Sequence, residues 1–425
     1  MRLCSLIATG LAVFALAACD EYEGLTPDPA KLHYPLGVAV HPDGRFVYVL
    51  STNFDGKYRI DEGGTVSVID TQSGTILDGP TVSVASFGGQ LQFTRPTADG
   101  PGQLVATTRG DDALNLLEVS ASGDRVWCDG DSSFGALYDL VAAAIPTELT
   151  AALGLPPASA DETGANCLVG GLAASPFALT ALRSEWSRPL AGDRWTHWDW
   201  WGVGSLVGAV SVVGVPNGDV SKATTVSTTG VAAGTAALVR VGDQLVAAGR
   251  YGNQLSVISA AQDGSGAPVA LQTTRSLTLP FSTASGAMES RGLAYSEQLG
   301  RLFVSINQPA GIATVEVGSD ADGGATLAFS GHLPLLGLPT AIVLRETAER
   351  SLLFVLLQAR DELVVLDAAT GQTLSRLLVG DAPSAMALSP DGASLYISLF
   401  GDDALAVVKL DPADPSVVTL DATIR

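Results

Sequence analysis

The four histidines are the first side chains to test for metal binding or acid–base catalysis. They are His33, His41, His197 and His332, and no two of them form an HxH, HxxxH or HExxH pattern. Local spacing therefore predicts no transition-metal site. The sequence also contains no Gly-x-Ser-x-Gly elbow and no Walker-type loop, so neither a catalytic residue nor a cofactor is predicted. His41 precedes a Pro-Asp-Gly turn and is predicted to have an exposed side chain.

Paired acidic residues occur where the chain is predicted to turn between strands. The pairs are Asp111-Asp112, Asp361-Glu362 and Asp402-Asp403. Several carboxylate oxygens gathered around one point suit a cation such as calcium. Asp also supports the backbone geometry of tight turns, which is the favoured interpretation. The candidates for a cation site are Asp111, Asp112, Asp402 and Asp403.

The N-terminus combines a charged start with a long apolar run. Met1-Arg2 is followed by residues 3–18, which carry no charge and end in small side chains. This pattern is typical of a secretory signal and is short for a membrane-spanning helix. Leu16-Ala17-Ala18-Cys19 resembles the lipobox of bacterial lipoproteins. The resemblance implies cleavage before Cys19 and a lipid anchor on its thiol, which would hold the protein on a membrane.

The lipobox divides this region into a signal peptide, residues 1–18, and an acidic tether, residues 19–33. The tether is polar and contains proline, a composition that suits a flexible linker. The implied location is a bacterial cell envelope, with the protein facing the periplasm or lying on the cell surface. The choice between inner and outer membrane is left open.

Cys128 and Cys167 are the two thiols that remain after cleavage and lipidation. Thiols in an oxidising compartment usually pair. Neither cysteine lies in a CxxC motif and no histidine is close to either in sequence, which disfavours a metal site. The sequence therefore predicts a Cys128–Cys167 disulfide.

A repeated pattern of short strands runs through the rest of the chain. Residues 34–49 contain an apolar strand, a Pro-Asp-Gly turn and a second strand, and residues 382–397 repeat this order. Asp-Gly supplies the positive φ that a tight hairpin requires. Weaker copies fill the interval and bring the number of repeats to seven.

Repeats of about 40–50 residues that each contain several short strands are typical of β-propellers. The Pro-Asp-Gly turn and the Val-Ser-Val-Ile-Asp strand at residues 66–70 resemble the YVTN/YncE-like family of seven-bladed β-propellers. The resemblance covers about residues 34–412 and implies an all-β fold, with the propeller domain at residues 34–425. Each terminus is expected to complete its own blade, and blade three is expected to be the least regular.

Residues 129–166 interrupt the repeat between blades two and three. Phe134, Leu137, Tyr138 and Val141 follow the i, i+3, i+4, i+7 spacing of an amphipathic helix. The sequence therefore predicts a small helical insert, whose two ends the Cys128–Cys167 disulfide is expected to tie to adjacent blades. It either covers the blade edges or forms a recognition element on the rim.

Five of the six tryptophans lie between positions 186 and 201. In a strand, alternate side chains face opposite sides, so Trp198 and Trp200 are predicted to lie opposite Asp199 and Trp201. Aromatic clusters with polar neighbours suit sugar rings or protein hot spots. The alternative is that the indoles fill space between blades. The candidate binding surface consists of Trp195, His197, Trp198, Asp199, Trp200 and Trp201.

Composition and motifs together limit the classes of function. Lys and Arg number 23 against 44 Asp and Glu, without a basic block, so nucleic acid is not a predicted partner. No catalytic motif of lactonase-like or quinoprotein-like propellers matches this sequence. The sequence therefore predicts a lipid-anchored bacterial envelope β-propeller that acts as a non-catalytic binding scaffold for a protein or glycan. The alternative is a channel-sited enzyme of lactonase-like or dehydrogenase-like type.

Overall fold

In the computed structural model the chain forms seven antiparallel β-sheets arranged as the blades of a propeller. The innermost strands contact one another in chain order, and the innermost strand of blade seven contacts that of blade one, which closes the ring. The predicted all-β, seven-bladed propeller is thus confirmed. The structure describes residues 25–60, 63–77, 79, 81–93, 103–120, 122–128, 167–182, 188–190, 194–196, 198–216, 222–232, 234–262, 268–281 and 289–425.

The first three blades carry the departures from a regular four-stranded sheet. Blade one contains β1 (Pro35–Val40), β2 (Phe46–Ser51), β3 (Gly64–Asp70), β4 (Thr75–Ile76) and β5 (Val82–Val84). Blade two contains β6 (Gly88–Phe93), β7 (Gln103–Thr108), β8 (Ala113–Val119), β9 (Val126–Trp127) and β10 (Leu168–Val169). Blade three contains β11 (Pro176–Ala181), β14 (Trp198–Ser205), β15 (Ala209–Pro216) and β16 (Thr224–Gly230), with the separate hairpin β12 (Arg188–Leu190) and β13 (Arg194–Thr196).

The last four blades are regular four-stranded meanders. Blade four contains β17 (Thr235–Val241), β18 (Gln244–Gly249), β19 (Gln254–Gln262) and β20 (Pro268–Thr278). Blade five contains β21 (Leu293–Ser296), β22 (Arg301–Asn307), β23 (Ala310–Ser319) and β24 (Ala325–Pro334). Blade six contains β25 (Pro339–Glu346), β26 (Ser351–Leu357), β27 (Glu362–Asp367) and β28 (Thr373–Leu378). Blade seven contains β29 (Pro383–Leu388), β30 (Ser394–Leu399), β31 (Ala404–Leu410) and β32 (Val418–Ile424).

The hydrophobic core is divided into seven clusters, one at each interface between neighbouring blades. Both faces of a blade are therefore buried, and the central strands are apolar without a polar face. In β2 and β26, for example, every residue is buried. The cluster between blades seven and one joins Val47 and Val49 to Tyr396 and Leu405, so ring closure rests on apolar packing as the other interfaces do.

Each terminal blade is built from its own part of the chain, as predicted. Strand β1 belongs to the sheet of blade one and β32 to that of blade seven, without exchange between the ends. The described part of the proposed tether, residues 25–33, contacts blade one. Leu25 pairs with Tyr58, and Leu32 is buried in the cluster between blades seven and one. Chain packing therefore begins before residue 34.

The prediction that blade three is the least regular is wrong, because its four strands are complete and the extra hairpin forms a separate sheet. Split outer strands occur instead in blade one, where β4 and β5 both pair with β3, and in blade two. There β9 pairs with Glu118 and Val119, whereas β10 pairs with Asn115 and Leu114 of the same strand. The outer strand is thus made of two halves placed end to end.

The predicted disulfide joins these two halves. The Cα atoms of Cys128 and Cys167 are 5.6 Å apart, within the range that a disulfide requires. Cys128 follows β9 and Cys167 precedes β10, and the Leu116 N–H donates to the Cys167 carbonyl oxygen at 3.0 Å. The prediction tied the two ends of the insert to adjacent blades. Instead both ends lie on the outer strand of blade two.

The prediction of an exposed His41 is wrong. Its side chain is buried, lies 5.5 Å from the Phe93 ring of blade two, and makes a 2.7 Å contact from Nδ1 to the Asp43 carboxylate. The neighbouring blade covers this turn, which the local sequence of blade one does not reveal.

The predicted helical insert, residues 129–166, lies outside the described residues. Within the described ranges the structure contains no α-helix, and a 3-10 turn spans Gln358–Arg360. No helix in these ranges is long and apolar enough to cross a membrane.

Candidate functional site at one mouth of the channel

The loops between second and third strands gather at one end of the propeller with the segments that lead into the first strands. In six blades the residue after the second strand donates its backbone N–H to a carbonyl oxygen just before the first strand. We call these six residues the mouth ring: Thr52, Arg109, Leu206, Arg250, Gln358 and Phe400. The repeat therefore fixes the backbone at these positions and leaves the side-chain types free to vary.

The acidic pairs lie in these same loops and link neighbouring blades. Asp112 accepts the Ser175 N–H at 2.6 Å, and Asp403 accepts the Tyr34 N–H at 2.7 Å. Asp361 makes the equivalent bond between blades six and seven, where it accepts the Ala382 N–H at 3.1 Å. Each of these three Asp residues has a positive φ, a conformation that Asp tolerates better than most residues. The Asp403 bond joins blade seven to blade one and so helps to close the ring.

The other two cation candidates are hydrogen-bonded as well. Asp111 accepts the Thr108 hydroxyl at 2.6 Å, and burial raises the pKa of its carboxyl group. Asp402 accepts the Asp381 N–H at 2.9 Å. Among the described residues no three His, Cys, Asp or Glu side chains are grouped so that they could hold a metal ion. Only the Asp111–Thr108 bond lies within one turn, whereas Asp112, Asp402 and Asp403 accept from residues distant in sequence.

Three arginines from three different blades converge at this mouth. Arg109 and Arg250 belong to the mouth ring, and Arg291 lies just before β21. Burial lowers the pKa of Arg109 and of Arg291, and the positive charge of Arg250 lowers both further. Guanidinium groups in general carry their positive charge at neutral pH. The positive charge of Arg250 therefore acts on both of the other two guanidinium groups.

Aromatic rings hold the first of these arginines in place. The Arg109 guanidinium carbon lies 5.6 Å from the Phe87 ring centre and 5.8 Å from that of Phe177, and Nε donates to the Phe87 carbonyl oxygen at 3.1 Å. The Arg250 guanidinium lies over the ring of Tyr251, which is itself half exposed. These contacts fix the positions of the positive charges without neutralising them.

An aromatic patch occupies another part of the same mouth, where blades seven and one meet. The ring centres of Tyr34, Phe54 and Phe400 lie 5.1–5.9 Å from one another. Phe54 is 61% exposed, the largest aromatic exposure among the described residues. The charge of Asp55, followed by burial, raises the pKa of the Tyr34 hydroxyl. The patch is therefore apolar at its centre and acidic at its edge, where Asp55 and Asp403 lie.

The tryptophan-rich segment does not form a surface in its described part. Trp198, Trp200 and Trp201 are 3%, 1% and 1% exposed, and Asp199 is 8% exposed. Trp198 and Trp200 stack against each other and pack on blade four, whereas Trp201 packs on blade two. The predicted separation of faces is correct, but these indoles fill blade interfaces and offer no binding surface. The Trp195 side chain and His197 lie outside the described residues.

Sequence reasoning missed both the arginines and the aromatic patch. The arginines are far apart in the chain, and no motif connects them. Aligning the seven repeats at the residue after each second strand would have placed Arg109 and Arg250 in one ring with Phe400. That alignment is the signal that could have revealed the mouth.

The sequence matches no protein-family model and no curated protein. Similar solved structures include hydrazine synthase from Kuenenia stuttgartiensis, with 14% identity and a TM-score of 0.55 over 92% of this chain and 98% of that chain. Sqt1 from Saccharomyces cerevisiae has 10% identity and a TM-score of 0.53, over 95% and 88% of the two chains.

A third similar structure is the β-propeller domain of Cps50 (Swd1) from Myceliophteria thermophila. It has 12% identity and a TM-score of 0.52, over 89% of this chain and 97% of that domain. At such low identities the likeness concerns the propeller fold alone. The three similar structures also belong to differently named proteins, so the fold alone does not indicate a function. Function has to be argued from the side chains at the mouth.

Proposed function

We propose that this protein is a lipid-anchored envelope propeller of the YVTN/YncE-like type that acts as a binding scaffold and docks a partner protein on its aromatic patch. The exposed Phe54 ring beside Tyr34 and Phe400 is the observation that carries this proposal. Aromatic anchors in a compact patch are typical of the energetic centre of protein interfaces.

The charge around the patch indicates what kind of partner segment it fits. Asp55 and Asp403 flank the rings, and the neighbouring Lys57 is the single cation that influences Tyr34. A segment that presents an apolar side chain between Lys or Arg residues would place its cations against the carboxylates. A partner protein with a basic, apolar segment is therefore the preferred ligand over a neutral glycan.

The lipid anchor would determine where such a complex forms. The lipobox at Leu16-Ala17-Ala18-Cys19 supports acylation of Cys19. Labelling cells with a clickable fatty-acid analogue, followed by fractionation, tests it: the wild-type protein should be labelled and membrane-bound, whereas Cys19→Ala should carry no label. Wild-type protein that is soluble and unlabelled would exclude the anchor.

Site-specific photo-crosslinking in native membranes tests the docking surface. A photoreactive residue at Phe54 should give a discrete protein adduct, and one at Leu420, an exposed position on β32, should not. Phe54→Ala should abolish an adduct formed from a probe placed at Phe400. Equal adducts from positions 54 and 420, or a glycan adduct alone, would overturn the proposal of a protein partner. Lactone hydrolysis by the purified protein would instead favour the enzymatic alternative.

A further inference from the structure

We propose that Arg109, Arg250 and Arg291 form an oxyanion-binding site for a small carboxylate or phosphate solute, separate from the aromatic patch. The site lies at the same mouth of the channel and draws one arginine from each of blades two, four and five. No single repeat contains it, and only closure of the ring brings its parts together.

The first argument is that the local charge is unbalanced. The protein as a whole is strongly acidic, with a formal charge of −21, yet three of its 23 Lys and Arg residues meet here. No carboxylate contributes to the shifted pKa of Arg109. For Arg291, Glu289 is the one carboxylate that contributes, and its charge raises the pKa of Arg291. Glu289 is itself a hydrogen-bond acceptor for the Asn307 amide at 3.5 Å. A single carboxylate therefore opposes the positive charges of Arg109 and Arg291.

The second argument is that hydrogen-bond donors at the site are unsatisfied. The Nε atoms of Arg250 and Arg291 are buried and have no hydrogen-bond partner in the structure. The contact from Arg291 Nη1 to the Gln358 side-chain oxygen is long, at 3.4 Å. Buried charged donors without acceptors are unfavourable and are uncommon in folded proteins. An oxyanion would supply the acceptors and at the same time relieve the repulsion between the arginines.

The third argument concerns the shape of the recognition group. Guanidinium forks match the paired oxygens of a carboxylate or phosphate group better than they match a single charged atom. The Phe87 and Phe177 rings hold the Arg109 fork in one orientation, so part of the site is preorganised. Tyr251, half exposed beside Arg250, offers a ring against which the remainder of an organic anion could pack.

Thermal unfolding and titration calorimetry on the full-length acylated protein in detergent test this site. Inorganic phosphate and succinate are compared with chloride at equal ionic strength, and a preference between the first two identifies the class of oxyanion. At least one of them should raise the unfolding temperature of the wild-type protein beyond the chloride effect. Arg109→Gln and Arg250→Gln should each weaken its binding at least tenfold.

The matched control is Arg45→Gln. Arg45 is paired with Asp70 and follows the turn at the opposite end of blade one, so this change should leave binding unaffected. Equal weakening by Arg45→Gln, or no effect of phosphate and succinate beyond that of chloride, would overturn the proposal.

A second measurement does not depend on choosing the right anion. If the three arginines repel one another, Arg250→Gln should raise the unfolding temperature of the anion-free protein at low ionic strength, and added sodium chloride should reduce that gain. A lower unfolding temperature for Arg250→Gln at every salt concentration would show that the arginine serves packing, and would contradict an anion site.

Discussion

The split outer strand of blade two allows a quantitative prediction for loss of the disulfide. The bond joins Cys128 and Cys167, which are 39 residues apart in sequence, and each half-strand that it connects is only two residues long. Closing a loop of this length is worth about 4 kcal/mol in the chain-entropy model. Replacing both cysteines by Ala should therefore lower the free energy of local opening at this edge by up to about 4 kcal/mol.

Hydrogen exchange can locate this effect on single amides. The Leu116 N–H donates to the Cys167 carbonyl oxygen, so its exchange reports the attachment of the second half-strand. A change of about 4 kcal/mol corresponds to roughly a thousandfold faster exchange. The amides of β32, the continuous outer strand of blade seven, provide the control and should not change.

Global unfolding should respond far less than this edge. Each blade interface has its own apolar cluster, and the five interfaces that do not involve blade two contain no residue of the half-strands that the disulfide joins. Equal loss of protection across all seven blades in the double Ala variant would show that the disulfide holds the whole ring together. Unchanged exchange at Leu116 would show that the half-strands are held without it. Either result would refute the reasoning.

Three further predictions concern ring closure, core packing and pH. Asp403→Ala removes the hydrogen bond from the Tyr34 N–H and places Ala at a positive φ, so it should lower the free energy of unfolding by about 2 kcal/mol in denaturant titrations. Asp403→Asn keeps a side-chain oxygen that can accept this bond and should retain most of that free energy. Trp200→Ala should lower the free energy of unfolding by about 3–5 kcal/mol in the same assay, whereas Leu336→Ala, at an exposed position, should lower it by less than about 0.5 kcal/mol. Equal effects of the two changes would contradict a role of Trp200 in packing between blades. Burial lowers the pKa of His33 below 6.5, so the unfolded chain binds the proton more readily, and stability should fall as the pH drops below about 6.5. His33→Gln should reduce this loss between about pH 7.5 and 5.5, and an unchanged loss would exclude His33 as a source.

The blades at the two ends of the chain could be predicted because their signals are local. A Pro-Asp-Gly turn and an apolar strand specify a hairpin wherever they occur, and β1, β2, β29 and β30 form as expected. The alternation of faces around Trp198 and Trp200 follows from the same two-residue period of a strand. Each of these predictions needed only neighbours in sequence.

Burial and side-chain convergence could not be predicted in this way. His41 is buried because Phe93 of the next blade covers it, and Trp200 is buried because blade four packs against its face. The local sequence of each residue is the same whether or not that neighbouring blade is present. Only the packing of one blade on the next determines exposure.

The sequence by itself determined the repeat, the turns and hence the propeller, because strand period and turn geometry depend on adjacent residues. The disulfide partners followed from the number of cysteines. The tertiary structure alone decided the site at the mouth. Arg109, Arg250 and Arg291 come from blades two, four and five, and Tyr34 meets Phe400 only where blade one packs against blade seven. A closed ring brings the same position of every repeat to one end of the channel. Aligning the repeats would place Arg109, Arg250 and Phe400 at this mouth, but closure of the ring decides which of these side chains lie next to each other.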